Sequence, residues 1–238
     1  QQINQMFLYM DGGAPTIVKR RFVEAYPFQK LFELYVMEDG DNRPAESKEL
    51  CDNLEKLLPN YDLVMVLDYG HGMLGPEAVD LLCSRAPFLA INTQVNAGNR
   101  GFNTVSKYRR ADFICVSENE LRLETRSRRQ ELQKIVSQVS QKLDCERVLI
   151  TRGAGGSLSY GKEEGFFDVP AFATEVVDRV GAGDAVFSVA SLAAALNAPM
   201  ELVGFIGNVV GAEAVATMGH RSSIERVPLY RHIETLLK

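Results

Sequence analysis

The stretch DLVMVLDYGHGMLGPEAVDLLCSRAPFLAIN (Asp62–Asn92) sets the architecture. Its first part, Asp62–Asp68, is a short apolar run of the kind that fills a strand buried on both faces. Pro76 then opens PEAVDLLCSR (Pro76–Arg85), and proline in a first helical position predicts a helix there. PFLAIN (Pro87–Asn92) turns apolar again and predicts the next strand. Strand, helix and strand at this spacing make the unit of a parallel sheet with a helical crossover.

The same alternation continues outward. ADFICVS (Ala111–Ser117) and RVLITRG (Arg147–Gly153) read as strands around a helical segment at Glu131–Leu143. GSLSYG and GFFDVP read as a hairpin closing the sheet edge, followed by helices at Ala182–Asn197 and near Met200–Met218. Upstream, SKELCDNLEKLL (Ser47–Leu58) has helical apolar spacing with Ser47 as its cap. TIVKRRFVEAY (Thr16–Tyr26) and KLFELYV (Lys30–Val36) are β-branched and aromatic, and predict two strands meeting around Pro27. The expected fold is a three-layer α/β/α arrangement on a mainly parallel sheet, with a small β lid near the N-terminus. Residues 1–40 would form the lid and 41–238 the core.

Composition narrows the function classes. Hydrophobic residues at 46% and charged residues at 24% are ordinary for a globular chain. Lys+Arg 26 against Asp+Glu 31 gives a net charge of −5 with no strongly basic block, which argues against a nucleic-acid partner. The arginines of RLETRSRRQELQK (Arg122, Arg126, Arg128, Arg129) read as a solvated helix face. Cys51, Cys83, Cys115 and Cys145 form no C-x-x-C pair, so a reduced, cytoplasmic setting is expected. No apolar run is long enough to span a bilayer, so no membrane partner is expected either. His71, His220 and His232 lack metal-ligand spacing.

In parallel sheets, ligands bind beyond the carboxyl ends of the strands. That singles out Asp68–Gly72, Asn92–Asn99, Ser117–Glu120 and Thr151–Gly156. GSLSYGKE (Gly156–Glu163) approximates a phosphate loop, but it ends in Glu163 where a metal-binding hydroxyl belongs. A dinucleotide fingerprint fails because Val186 stands at the third glycine's place. DRVGAGD (Asp178–Asp184) is different. Unpaired amides at a helix start, with glycines that permit close approach, make an anion cradle at Gly181, Ala182 and Gly183. Asp184 next to it either favours the helix dipole or accepts a proton from an attacking hydroxyl. Lys19 and Arg21 share one strand face, where they are either surface charge or contacts for a substrate phosphate. The amide-rich stretch INTQVNAGNRGFNTVSKYRRADF (Ile91–Phe113) is either a polar loop or a recognition surface for hydroxyls; Asn92 and His71 are further substrate candidates.

DRVGAGD closely resembles the C-terminal signature of the ribokinase-like sugar kinases, the phosphofructokinase-B family. LDYGHGML (Leu67–Leu74), TRGAGG (Thr151–Gly156) and GNVVGA (Gly207–Ala212) resemble further family segments in the family's order. PTIVKRRFV (Pro15–Val23) and DYGHG are similar to the heptose-phosphate kinase branch. The resemblance implies Mg-ATP as phosphoryl donor and a sugar or sugar phosphate as acceptor. It implies that Asp184 is the catalytic base and that Gly181–Gly183 form the anion hole. Thr151, Gly153 and Gly156 would border the nucleotide, Asn208 the adenine, and Asp68 the substrate side. Asp178 would belong to a loop that holds a monovalent cation in some relatives. Arg179 stands where the family usually has Thr, either as a phosphate clamp or in place of that ion. The family's magnesium-associated N-x-x-E is not matched in SENELRLE (Ser117–Glu124), where Glu118 and Glu120 are the candidates, Glu120 acting through water. The family's opening strands and sugar-gripping glycines have no counterpart after Gln1, so the chain resembles the C-terminal two-thirds of such a kinase. Three outcomes stay open: an active kinase, a sensing module that keeps the fold, and the kinase half of a protein fused to a nucleotidyltransferase. Pairing of lid strands between two copies is the expected mode of any homodimer.

Overall fold

A computed structural model of the chain describes residues 16–25, 28–37, 44–96, 98–219 and 223–238. DGGAP (Asp11–Pro15), which precedes the predicted lid strands, and His220 lie outside them.

The sheet forms from strands β3 (Val64–Asp68), β4 (Leu89–Thr93), β5 (Phe113–Ser117), β6 (Arg147–Thr151), β7 (Ser157–Gly161) and β8 (Gly165–Val169), in that spatial order. Neighbours from β3 to β6 are parallel, and β7 and β8 return antiparallel as the predicted hairpin. Side chains alternate across the sheet with period two. Ile114 and Val116 join one core with α2 (Pro76–Arg85), α3 (Glu118–Thr125) and α4 (Leu132–Lys142). Phe113 and Cys115 join the opposite core with α5 (Ala182–Ala195) and α6 (Met200–Val215). The expected three layers are therefore present. Among the described residues, no helix is long and apolar enough to cross a membrane, and the cysteines are free thiols.

Three local expectations need correction. Ser47 lies inside α1 (Pro44–Leu57) rather than capping it, with its hydroxyl 3.4 Å from Glu77. The arginine-rich stretch is not one helical face. α3 ends at Arg126, whose φ of 51° breaks the helix, and α4 starts only at Leu132. A last helix, α7 (Arg226–Leu236), was not expected; it buries only Leu229 among its residues, so its apolar pattern is faint.

The lid is a separate antiparallel pair, β1 (Val18–Ala25) and β2 (Phe28–Val36). Its pairing sets Lys19 opposite Tyr35 and Arg21 opposite Glu33, so these four share one face.

Candidate active site

The parallel strands end at Asp68, Thr93, Ser117 and Thr151 on one side of the sheet, and α5 starts above them. Gly181 caps α5 in the left-handed region, with φ at 82°, a conformation glycine adopts without strain. A side chain on Gly183 would meet only open space. The amides of Gly181, Gly183 and Asp184 have no acceptor among the described residues. Unpaired amides at a helix start carry partial positive charge outward; Ala182, expected to share in the cradle, instead donates its amide to the Arg179 carbonyl at 3.5 Å.

Asp184, half-buried in the first turn, is gripped at both oxygens. Gln94 donates from Nε2 to Oδ1 at 2.5 Å, and the Tyr69 hydroxyl donates to Oδ2 at 3.2 Å. Burial and the neighbouring Asp184 carboxylate push the Tyr69 hydroxyl above its ordinary range, which keeps it a donor. His71 stacks on Tyr69 with ring centroids 6.4 Å apart.

A cavity of about 220 Å³ lies at the cradle, lined by Asn92, Gln94, Ser117, Glu120, Thr151, Gly181, Gly183 and Asp184. A larger cleft of about 1950 Å³ opens beside it under the lid and includes Lys19, Arg21, His71, Glu120, Asp178 and Arg179. Gln94, Ser117 and Glu120 line both, so the two spaces meet at these side chains.

Lys19 rests over the Tyr35 ring at 5.0 Å, and Arg21 is paired with Glu33 at 2.5 Å. Despite its partial burial, the Glu33 carboxyl is held below its ordinary range by Arg21, Lys30 and Lys19. Arg122, Arg126 and Arg128 line the cleft, the last two exposed as expected. The Arg179 guanidinium is exposed on the rim and has no partner among the described residues. Asp178 beside it is buried; its oxygens accept from the amides of Val180 and Gly219, both at 3.0 Å. That carboxylate staples the loop before α5 to the segment after α6.

Other expected residues fall elsewhere. Asp68, expected on the substrate side, is buried, and it accepts from the Gly70 amide, Lys107 Nζ and the Tyr108 hydroxyl at 2.8–2.9 Å. Gly156 lies under β8, where a Cβ would stand 2.0 Å from the Val169 carbonyl oxygen. Asn208 donates to the carbonyls of Val169 and Pro170, pinning α6 to the end of β8. Gly153 is exposed in the turn after β6. None of these four lines the cleft or the small cavity.

The small cavity suits a hard cation. Asn92 is 5% exposed and its Oδ1 has no partner. Ser117, Thr151, Glu120 and Asp184 add oxygens, and Mg²⁺ prefers an all-oxygen shell that retains water. Both Glu120 oxygens already accept hydrogen bonds, from Ser117 and from the Val95 amide, so its reach to an ion would run through water. Ser117 and Glu120 form a capping box three residues apart at the start of α3. Among the described residues there is no cluster of three or more His, Cys, Asp or Glu side chains able to hold a metal.

A mainly parallel sheet with a lid and an amide cradle over the strand ends defines the ribokinase-like fold, and solved structures agree. Ribokinase from Thermotoga maritima superposes with a TM-score of 0.72 at 20% identity, covering 93% of this chain and 70% of that one. A Burkholderia thailandensis nucleoside kinase in complex with inosine gives 0.70 at 16% identity, covering 94% and 69%. Residues 1–226 match the model of the pfkB family carbohydrate kinases, and the chain belongs to that family, phosphotransferases with an alcohol group as acceptor. The bifunctional protein HldE of Citrifermentans bemidjiense is 29% identical over 215 residues, 89% of this chain and 43% of that protein. HldE of Histophilus somni is 29% identical over 231 residues, 96% and 46%. The chain therefore spans less than half the length of these relatives.

Sequence reasoning missed Tyr69 and Gln94 as partners of Asp184. Gln94 was visible only as one of many amides, and its partner lies 90 residues away.

Proposed function

We propose that this chain transfers the γ-phosphoryl group of ATP to a hydroxyl of a sugar or sugar phosphate. The observation that carries the reading is Asp184 itself: a half-buried carboxylate beside unpaired amides, lining the small polar cavity that meets the lidded cleft at Gln94, Ser117 and Glu120. In this reading the acceptor hydroxyl enters from the cleft and attacks the γ-phosphorus in line. Its proton passes to Asp184, the bond to the β–γ bridging oxygen breaks, and ADP leaves. The cradle amides hold the negative charge on the transferred group, and Arg179 on the rim adds a mobile cation. Mg²⁺, when bound, would supply charge neutralisation at the phosphates; Asn92, Thr151 and, through water, Glu120 would hold it. On the family pattern, the adenine end goes to the surface around Gly153 and Asn208. Lys19, Arg21 and His71 then face the acceptor, and a phosphate on that acceptor would suit them.

The match to less than half of each HldE protein supports a further reading, in which this chain acts as the kinase half of a bifunctional protein. We also propose that the lid pairs with a second copy through its outer face.

Asp184→Asn tests the base. It is expected to bind ATP as the parent does and to lose turnover on a panel of ribose, fructose, their phosphates and a heptose phosphate, followed by ADP release. Parent-rate turnover in that variant removes Asp184 from the role. ATP binding by the parent without turnover on any acceptor supports a sensing module instead.

A further inference from the structure

The amide-rich segment between β4 and β5 is bonded throughout to the loop after β3. The Gln94 amide donates to the Asp68 carbonyl at 2.8 Å, continuing the β3–β4 ladder beyond its last pair. Asn103 Nδ2 bridges the carbonyls of Asp68 and Gln94 at 2.8 and 3.2 Å. Asn96 and Asn99 both donate to the Tyr69 carbonyl, at 3.0 and 2.8 Å. Gly70 makes this approach feasible: its φ is +68°, and a Cβ there would stand 2.1 Å from Asn99 Nδ2. Three asparagines thus fix the backbone on either side of the gap between two strand ends. The side chains delivered from that frame, Tyr69 and Gln94, are the two that grip Asp184.

The two grips differ. Both line the lidded cleft, but Gln94 is half-buried and makes the shorter bond, whereas Tyr69 is 37% exposed and makes the longer one. An incoming hydroxyl needs one carboxylate oxygen. Oδ2 can be released by the exposed tyrosine while Oδ1 stays held. Neutral donors suit this task because they orient the carboxylate without supplying a counter-charge that would compete with the proton it must accept.

We infer that Gln94 is a positioning residue for Asp184, fixing the carboxylate so that Oδ2 faces the acceptor, with Tyr69 as the exchangeable second holder. This inference rests on the phosphoryl-transfer reading. Removing the holder leaves ATP binding alone and lets the base rotate, a misplacement that costs rate in the chemical step.

The test uses the same acceptor panel with Mg-ATP, measuring kcat and KM separately for the parent, Asp184→Asn, Gln94→Leu, Gln94→Glu and Tyr69→Phe. Gln94→Leu is expected to lower kcat about 10- to 100-fold with KM for ATP unchanged. Tyr69→Phe should lose less. Gln94→Glu keeps the shape but sets a second carboxylate against Asp184, so it too should lose kcat; it decides the matter if the leucine variant does not fold. Parent kcat in Gln94→Leu, or in Gln94→Glu when only that variant folds, overturns the positioning role while Asp184→Asn still lacks turnover. A change confined to the acceptor's KM also overturns it, because Gln94 would then be a substrate contact. Parent-rate turnover by Asp184→Asn, or no turnover by the parent, removes the base reading, and the inference falls with it.

Discussion

Asp68 and Asp184 both stand where secondary structure ends at the strand-end side of the sheet, and their surroundings divide their roles. Asp184 meets only neutral donors and borders open cavities. Asp68 is 4% exposed and meets Lys107 and Tyr108, so its charge is consumed inside the protein. The difference could not be read locally, since these partners lie 39 and 40 residues further along the chain. Burial and the Asp68 carboxylate push the Tyr108 hydroxyl up, holding it as a donor. Asp68→Ala would leave Tyr108 and Lys107 without their acceptor. Lys107 keeps some contact with solvent, so the expected loss is about 3 kcal/mol of unfolding free energy, measured by urea titration. An unfolding midpoint like the parent's would show that the buried cluster contributes little. Gly156 shows the same split between motif and fold: its glycine belongs to a nucleotide-like pattern, yet the backbone of β8 alone explains why no side chain fits.

At the scale of elements, the strands and helix α4 were legible, whereas α3 and the turn that follows it were not. Short apolar runs bounded by turns have one stable solution in a covered sheet, and β3 to β6 formed where they were expected. The stretch Arg122–Leu132 mixes charge with weak periodicity, and its conformation is fixed by contacts from other elements. Glu124 shows how: its side chain is 4% exposed, accepts from the Ser106 amide and hydroxyl, and pairs with Lys142 of α4 at 2.9 Å. Burial alone would raise this carboxyl, but the hydrogen bonds from Thr104, Lys142 and Ser106 outweigh it and hold it below the ordinary range. A carboxyl lowered by folding stabilises the protein above its unfolded value, and that contribution is lost as pH falls through the ordinary range toward the folded one. Between about pH 5 and about pH 3, the urea midpoint of the parent should therefore fall more steeply than that of Glu124→Gln. Equal slopes would mean that Glu124 is no stronger an acid folded than unfolded.

For the whole molecule, the lid is the part least able to stand alone. Its inner face carries Lys19, Arg21, Glu33 and Tyr35 over the cleft, while its outer face carries Arg20 among the apolar Val18, Phe22, Leu34 and Val36, which are exposed by 43%, 38%, 49% and 52%. An isolated two-stranded ribbon is marginal in water, and nothing among the described residues covers this outer face. A second copy presents the same surface, so a two-fold contact would bury both at once. Sedimentation should then give a dimer for the parent, and Phe22→Lys with Leu34→Lys should give a monomer whose sheet core unfolds at the same urea midpoint. The lid's hold on the acceptor should loosen with it, raising the acceptor's KM while ATP binding at the α5 cradle persists. A parent that stays monomeric at every concentration removes the second copy as the lid's cover. If the paired lysines leave a dimer intact, the contact between copies lies on another face, and the lid's outer residues must find their cover elsewhere.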